Sequence, residues 1–257
     1  MGLNKSLKFL SRLIDKALTL FFILCLLLGC YIMYDLAYVY EGAASSKTLS
    51  YKPVKEANAE EITETLLEIS DDVVAWITID DTNIDYPVMQ AEDNSKYLNL
   101  DAFGKYSLSG SIFMDYRNAL DFSDDYSLLY GHHMDGGNMF GSLDEFLNKS
   151  YFNSHKEGTL MLLDGRVYPL YVFGVLETDA SVRYLFDPTY KSVDMSVKEY
   201  VEEKTSIAIP EGAKIIALST CKTTTSTARL IVFCYYLPSE GTVGMKRTGA
   251  GTWMVMD

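Results

Sequence analysis

Beyond residue 70 the chain breaks into short apolar runs separated by turn residues, a texture of strands rather than helices. The runs predict strands over residues 75–79, 86–90, 111–114, 127–130, 159–163, 167–176, 215–219 and 230–237. Asp80-Asp81-Thr82-Asn83 supplies a turn between the first two, and Asp164-Gly165 joins the fifth to the sixth. Helical spacing occurs in three places. Ile62, Leu66 and Ile69 predict an amphipathic helix over 59–69. Phe140, Leu143 and Leu147 share one helical face. Ser196-Val197-Lys198-Glu199 has capping-box form, so a helix starts there and runs to about Lys204. Eight short strands with few helices predict a mainly β, single-domain, closed or nearly closed barrel.

The amino-terminal pattern is different. Residues 17–33 carry no charge over 17 positions, the lower edge of what spans a bilayer. Lys5, Lys8, Arg12 and Lys16 precede this run, and Asp35 and Glu41 follow it. The positive-inside rule then puts the N-terminus in the cytoplasm and everything after Tyr34 outside. A cleaved signal peptide is the competing reading, but no A-x-A-like site follows, and Tyr31, Tyr34, Tyr38 and Tyr40 suit an interfacial belt. Leu27-Leu28-Gly29-Cys30 has the outline of a lipid-attachment box, which the bulky Leu28 and Tyr31 fit poorly. The expected organisation is a cytoplasmic segment 1–16, a single-pass signal anchor 17–33, a polar stalk 34–57 and an extracellular domain 58–257.

Charge narrows the function. The chain has net charge −13, and with four basic residues and one acid before residue 34 the remainder carries −16. So acidic a body is repelled by nucleic acid. The four cysteines form no CxxC pair and no Cys/His cluster at zinc spacing, so neither a metal nor another cofactor is expected. A Cys221–Cys234 disulfide is disfavoured by geometry. If their segments form a hairpin with Cys221 opposite Arg229, Cys234 falls opposite Ile216, five residues or roughly 16 Å along the strand.

Cys221 ends an apolar strand and opens a polar loop, the partly exposed setting a reactive thiol needs; Lys222 and Arg229 would favour its thiolate. Of three histidines, His155 lies in an ordinary polar turn. His132 and His133 follow a strand end in Tyr130-Gly131-His132-His133-Met134, before Asp135-Gly136-Gly137. Loops hung from a rigid barrel are favoured places for catalytic groups, yet spacing alone cannot bring this pair to the cysteine.

Leu218-Ser219-Thr220-Cys221, with Arg229 eight residues on, resembles the sortase catalytic signature. Tyr130-Gly131-His132-His133-Met134, with Met139-Phe140-Gly141 downstream, is similar to the histidine region of class B sortases. Val74-Ala75-Trp76-Ile77, Asp85-Tyr86-Pro87-Val88, Asp93-Asn94 with Tyr97-Leu98, and Asp115-Tyr116-Arg117-Asn118 extend the likeness from residue 72 to 237. One departure is His133, where class B members commonly have Asn.

The resemblance implies a sortase β-barrel in which the stretch carrying the Ser196 helix is the class B insertion. It implies a cysteine transpeptidase with Cys221 as nucleophile, His132 as proton partner and Arg229 as donor to the oxyanion. The substrates would be secreted proteins bearing a C-terminal sorting motif, cleaved after Thr through a thioacyl intermediate, with a peptidoglycan amine as acceptor. Asn94, Leu98, Tyr130 and Ser219 would line the substrate groove, with Tyr184 of the insertion. Two other functions share these residues: a thiol hydrolase without amine acceptor, and a non-catalytic barrel that binds sorting motifs or peptidoglycan.

Overall fold

The computed structural model describes residues 2–43, 46–55, 57–221, 227–238, 245–247 and 253–255. The chain forms two compact units, Met1–Glu41 and Gly42–Asp257. The first is the body of one helix, α1 (Gly2–Ala43). Its stretch Lys8–Ala37 is long and apolar enough to cross a membrane, with mean hydropathy 2.4, and Phe21, Phe22 and Leu26 are exposed along it. Helix α1 continues past Met33 into the segment expected to begin the stalk, and no proline interrupts it there.

In the second unit, a short helix α2 (Ser46–Leu49) precedes α3 (Ala59–Leu67). Asn58 caps α3 reciprocally with Glu61: its Oδ1 accepts the Glu61 N–H at 3.0 Å, and the Glu61 carboxylate accepts the Asn58 N–H at 3.4 Å. The eight expected strands all form: β1 (Val73–Ile79), β2 (Asp85–Met89), β3 (Ile112–Met114), β4 (Tyr126–Tyr130), β5 (Glu157–Leu162), β6 (Val167–Asp179), β7 (Lys214–Cys221) and β8 (Ala228–Tyr236). They close into a barrel in the order β1-β2-β3-β4-β7-β8-β6-β5. The β2–β3 and β4–β7 pairs are parallel and the others antiparallel.

Side-chain alternation divides the apolar residues between two faces. Ile77, Ile216, Leu218, Leu230 and Val232 fill the barrel interior. On the outer face, Trp76 and Val73 pack under Ile62 and Leu66 of α3. Elsewhere on that face, Ile215, Ala217, Ile231 and Phe233 pack under the β6–β7 connection, against Leu185 and Val201. That connection holds helices α5 (Arg183–Phe186) and α6 (Val197–Thr205), the latter with the expected capping box between Ser196 and Glu199. A short helix α4 (Lys149–Ser154) precedes β5, capped by Asn148.

One expectation is corrected. Residues Phe140–Leu147 form a 3-10 helix, whose period of three residues places Phe140, Leu143 and Phe146 inward. Phe146 is buried and Leu147 is 47% exposed, so Phe146 takes the core position that α-helical spacing gives to Leu147. The chain ends with two strands unforeseen in the sequence, β9 (Met245–Arg247) and β10 (Trp253–Val255), paired antiparallel.

Candidate active site

Three neighbouring strands finish at one end of the barrel. In the parallel β4–β7 pair Tyr130 is opposite Ser219, and the Gly131 N–H donates to the Ser219 carbonyl at 3.2 Å, carrying the ladder one residue beyond β4. In the antiparallel β7–β8 pair Cys221 is opposite Arg229, and Ile216 is opposite Cys234. This is the register that argued against a Cys221–Cys234 bridge, and Cys234 is a free, fully buried cysteine whose thiol pKa burial raises to about 12. Adjacent strands lie about 4.8 Å apart. The backbones of His132, Cys221 and Arg229 therefore lie at the same end of the barrel. The side chain of Cys221, and Lys222 entirely, lie outside the described residues.

The histidine loop is shaped by close packing. A Cβ on Gly131 would lie 2.5 Å from Ile112 Cδ1 and 2.7 Å from the Phe140 ring, so any side chain there would have to displace both. The loop closes on itself: the Phe140 N–H donates to the His132 carbonyl at 3.0 Å, and His133 bridges Met139. The two imidazoles find different partners. His132 Nε2 lies 2.8 Å from the carbonyl oxygen of Leu98, whereas His133 Nε2 lies 2.8 Å from Asp144 Oδ2. A carbonyl only accepts, so His132 carries hydrogen on Nε2. Leu98 ends a 3-10 turn, Lys96–Leu98, held by Asp93, whose Oδ1 accepts the Ser95 and Lys96 N–H groups.

Arg229 is half-buried, and its Nη1 donates to the Ala228 carbonyl at 3.1 Å. Its charge acts on two neighbours. Asp179 has its carboxyl pKa lowered to about 2, chiefly by hydrogen bonds from Ser181 and Thr227, with Arg229 adding to the effect. Tyr130 has its phenol pushed well above the ordinary range by burial first and by the nearby Asp115 charge second, while Arg117 and Arg229 oppose the rise.

The expected groove residues divide between the barrel and the insertion. Leu98 is 39% exposed. Ser219 is buried, and its Oγ finds no partner among the described residues. Tyr184 stacks on Tyr200 with centroids 4.7 Å apart and meets Tyr190 edge-on at 5.2 Å, so it belongs to an aromatic cluster of the insertion. Asn94 and Tyr130 converge on a residue to which sequence reasoning gave no role. Asn94 Nδ2 donates to Asp115 Oδ2 at 2.9 Å, and the Tyr130 hydroxyl donates to the same oxygen at 3.1 Å. Burial pushes the Asp115 carboxyl up, and hydrogen bonds from Arg117 and Asn94 reverse this, leaving it below the usual carboxylate range. The Asp115-Tyr116-Arg117-Asn118 motif was the available signal for Asp115. Among the described residues no three His, Cys, Asp or Glu side chains gather as a metal site.

A sortase-domain family model matches residues 77–236. Sortase B of Listeria monocytogenes is 34% identical over 164 residues, which span 62% of this chain and 66% of that protein. Sortase B of Staphylococcus aureus is 32% identical over 180 residues, covering 66% of this chain and 72% of the other. Among solved structures, a Streptococcus pyogenes class B sortase involved in pilus biogenesis superposes with a TM-score of 0.59 and 41% identity. That match covers 67% of this chain and 96% of the other. The barrel, the matched span and these relatives together establish that the chain belongs to the sortase family of cysteine transpeptidases, in its class B branch.

Proposed function

We propose that this protein cleaves the C-terminal sorting signal of secreted proteins and joins them to an amine of peptidoglycan, with Cys221, His132 and Arg229 carrying the chemistry. The observation that supports this reading is the strand register, in which Cys221 pairs with Arg229 across β7–β8 and the Gly131 N–H, next to His132, bonds the Ser219 carbonyl of β7.

The Cys221 thiolate attacks the carbonyl carbon of the signal's Thr, giving a tetrahedral oxyanion. Arg229 donates to that oxyanion; its guanidinium keeps its proton and offers a planar fork of donors. Collapse breaks the C–N bond as His132, in its imidazolium form, protonates the departing amine. While Leu98 holds Nε2–H, Nδ1 is the ring nitrogen left to exchange that proton. The thioacyl carbon is then attacked by an acceptor amine, His132 takes the amine's proton, and the thiolate departs with a new amide formed.

Helix α1 supports a single-pass anchor, with the basic N-terminus in the cytoplasm and the barrel outside the cell. Incubating the protein with Thr-Gly-containing peptides, with and without an amine acceptor, tests the reading. Products containing the acceptor are expected. Free acid alone would mean a hydrolase, and absence of turnover a binding module.

A further inference from the structure

The carboxylate of Asp115 is fully buried in the loop after β3 and is crowded with donors. Its Oδ1 accepts Arg117 Nε at 2.8 Å and the Arg117 backbone N–H at 3.0 Å. Its Oδ2 accepts Arg117 Nη2 at 2.8 Å in addition to Asn94 and Tyr130. A carboxylate has about four lone-pair sites, so these five donors saturate it. Asn94 is fixed at its other end too, since its Oδ1 accepts the Tyr116 N–H at 3.0 Å.

Arg117 extends the network across to the insertion. Its Nη2 also donates to the Phe186 carbonyl at 2.8 Å, and its Nη1 donates to Asp187 Oδ1 at 3.1 Å. Phe186 is the last residue of α5, the helix that carries Tyr184. Arg117, paired with both Asp115 and Asp187, thus ties Asn94 and Tyr130 of the barrel to the end of α5 in the insertion. Buried ion pairs add little net stability over apolar packing of the same volume, so stability alone is a poor reason for this one. The imidazole of His132 is anchored separately, on the Leu98 carbonyl.

We propose that Asp115 and Arg117 form a positioning unit that sets the spacing between the barrel wall and the insertion wall of the sorting-peptide groove. The inference rests on the reading of Asn94, Tyr130 and Tyr184 as groove residues. The pair governs how well the peptide is bound and leaves the acyl-transfer step itself to Cys221, His132 and Arg229.

The test uses the full-length protein in detergent micelles and the best-cleaved member of a quenched-fluorescent Thr-Gly peptide library. Asp115→Asn removes the charge and keeps the shape. The double variant Asp115→Asn/Arg117→Gln leaves no charge buried alone and serves if the single variant does not fold. In whichever folds, KM for the peptide should rise about tenfold, the loss expected for a charged hydrogen-bond network, with kcat within about threefold of wild type. The rate of Cys221 alkylation by iodoacetamide, read by peptide mass spectrometry, should stay unchanged. An unchanged KM overturns the proposal, and so does an alkylation rate that falls in step with the KM rise, which would mean general damage. A wild-type protein that cleaves no member of the library sinks the sorting reading, and this inference with it.

Discussion

His132 and Leu98 are joined by a 2.8 Å contact from the ring Nε2 to the main-chain carbonyl, while the adjacent His133 is drawn away to Asp144. The two neighbouring imidazoles therefore have separate partners, and under the proposed function their replacement should separate cleanly. His132→Gln should lower turnover of a sorting peptide by about 100- to 10,000-fold, the usual worth of a general acid–base. His133→Asn should stay within about threefold of wild type, because an exposed pair contributes about 1 kcal/mol or less. Initial rates of peptide cleavage check both, and equal losses in the two variants would contradict the assignment.

Arg229 is expected to act through geometry as much as charge. Arg229→Lys keeps the charge and discards the planar fork, so kcat should fall by about 100- to 1000-fold, close to the loss from Arg229→Ala. Thermal unfolding of Arg229→Lys should match wild type. A lysine variant with near-normal kcat would mean that charge alone suffices.

The 3-10 packing of Phe140–Leu147 makes a stability prediction that does not depend on function. Phe146→Ala should cost about 3–5 kcal/mol, the usual effect of deleting a buried aromatic side chain. Leu147→Ala should cost about 0.5 kcal/mol or less, as at an exposed site. Urea unfolding of the two variants would reverse this order if the segment were an α-helix with Leu147 inside.

Cys234 should be chemically silent. Its thiol is fully buried with its pKa raised to about 12, so at pH 7–8 it stays protonated and inaccessible, and only a pH approaching that value would favour its thiolate. In folded protein carrying Ser at positions 25 and 30, iodoacetamide should label Cys221 and spare Cys234 until denaturant is added. Cys234→Ala should leave peptide turnover unchanged. Rapid labelling of Cys234 in the folded state would contradict its placement opposite Ile216 in the sheet.

Much of this architecture was legible in the sequence because it rests on local patterns. Short apolar runs bounded by turn residues marked β1 to β8, and the Ser196–Glu199 box marked the start of α6. The β7–β8 register entered as a condition, a hairpin with Cys221 opposite Arg229, and the sheet has that pairing. What escaped depends on contacts between distant residues or on fine helical pitch. Asp115 meets Asn94 and Tyr130 across 21 and 15 residues, and Arg117 meets Asp187 across 70, distances at which no periodicity signals a partner. Phe146 and Leu147 exchanged places because a 3-10 turn advances by three residues where an α-turn advances by 3.6. The strands of the β9–β10 pair, three residues each, are too short to show an alternation.

The parallel β4–β7 pairing joins segments separated by about half of the barrel's sequence, with β5, β6 and the insertion threaded between them. Such long-range pairings carry a heavy loop-closure entropy and tend to form slowly. The backbones of His132 and Cys221 therefore come to the same end of the barrel only once the sheet has closed, so under the proposed function an incompletely folded chain bears an ordinary cysteine. On that reading, folding itself arms the protein.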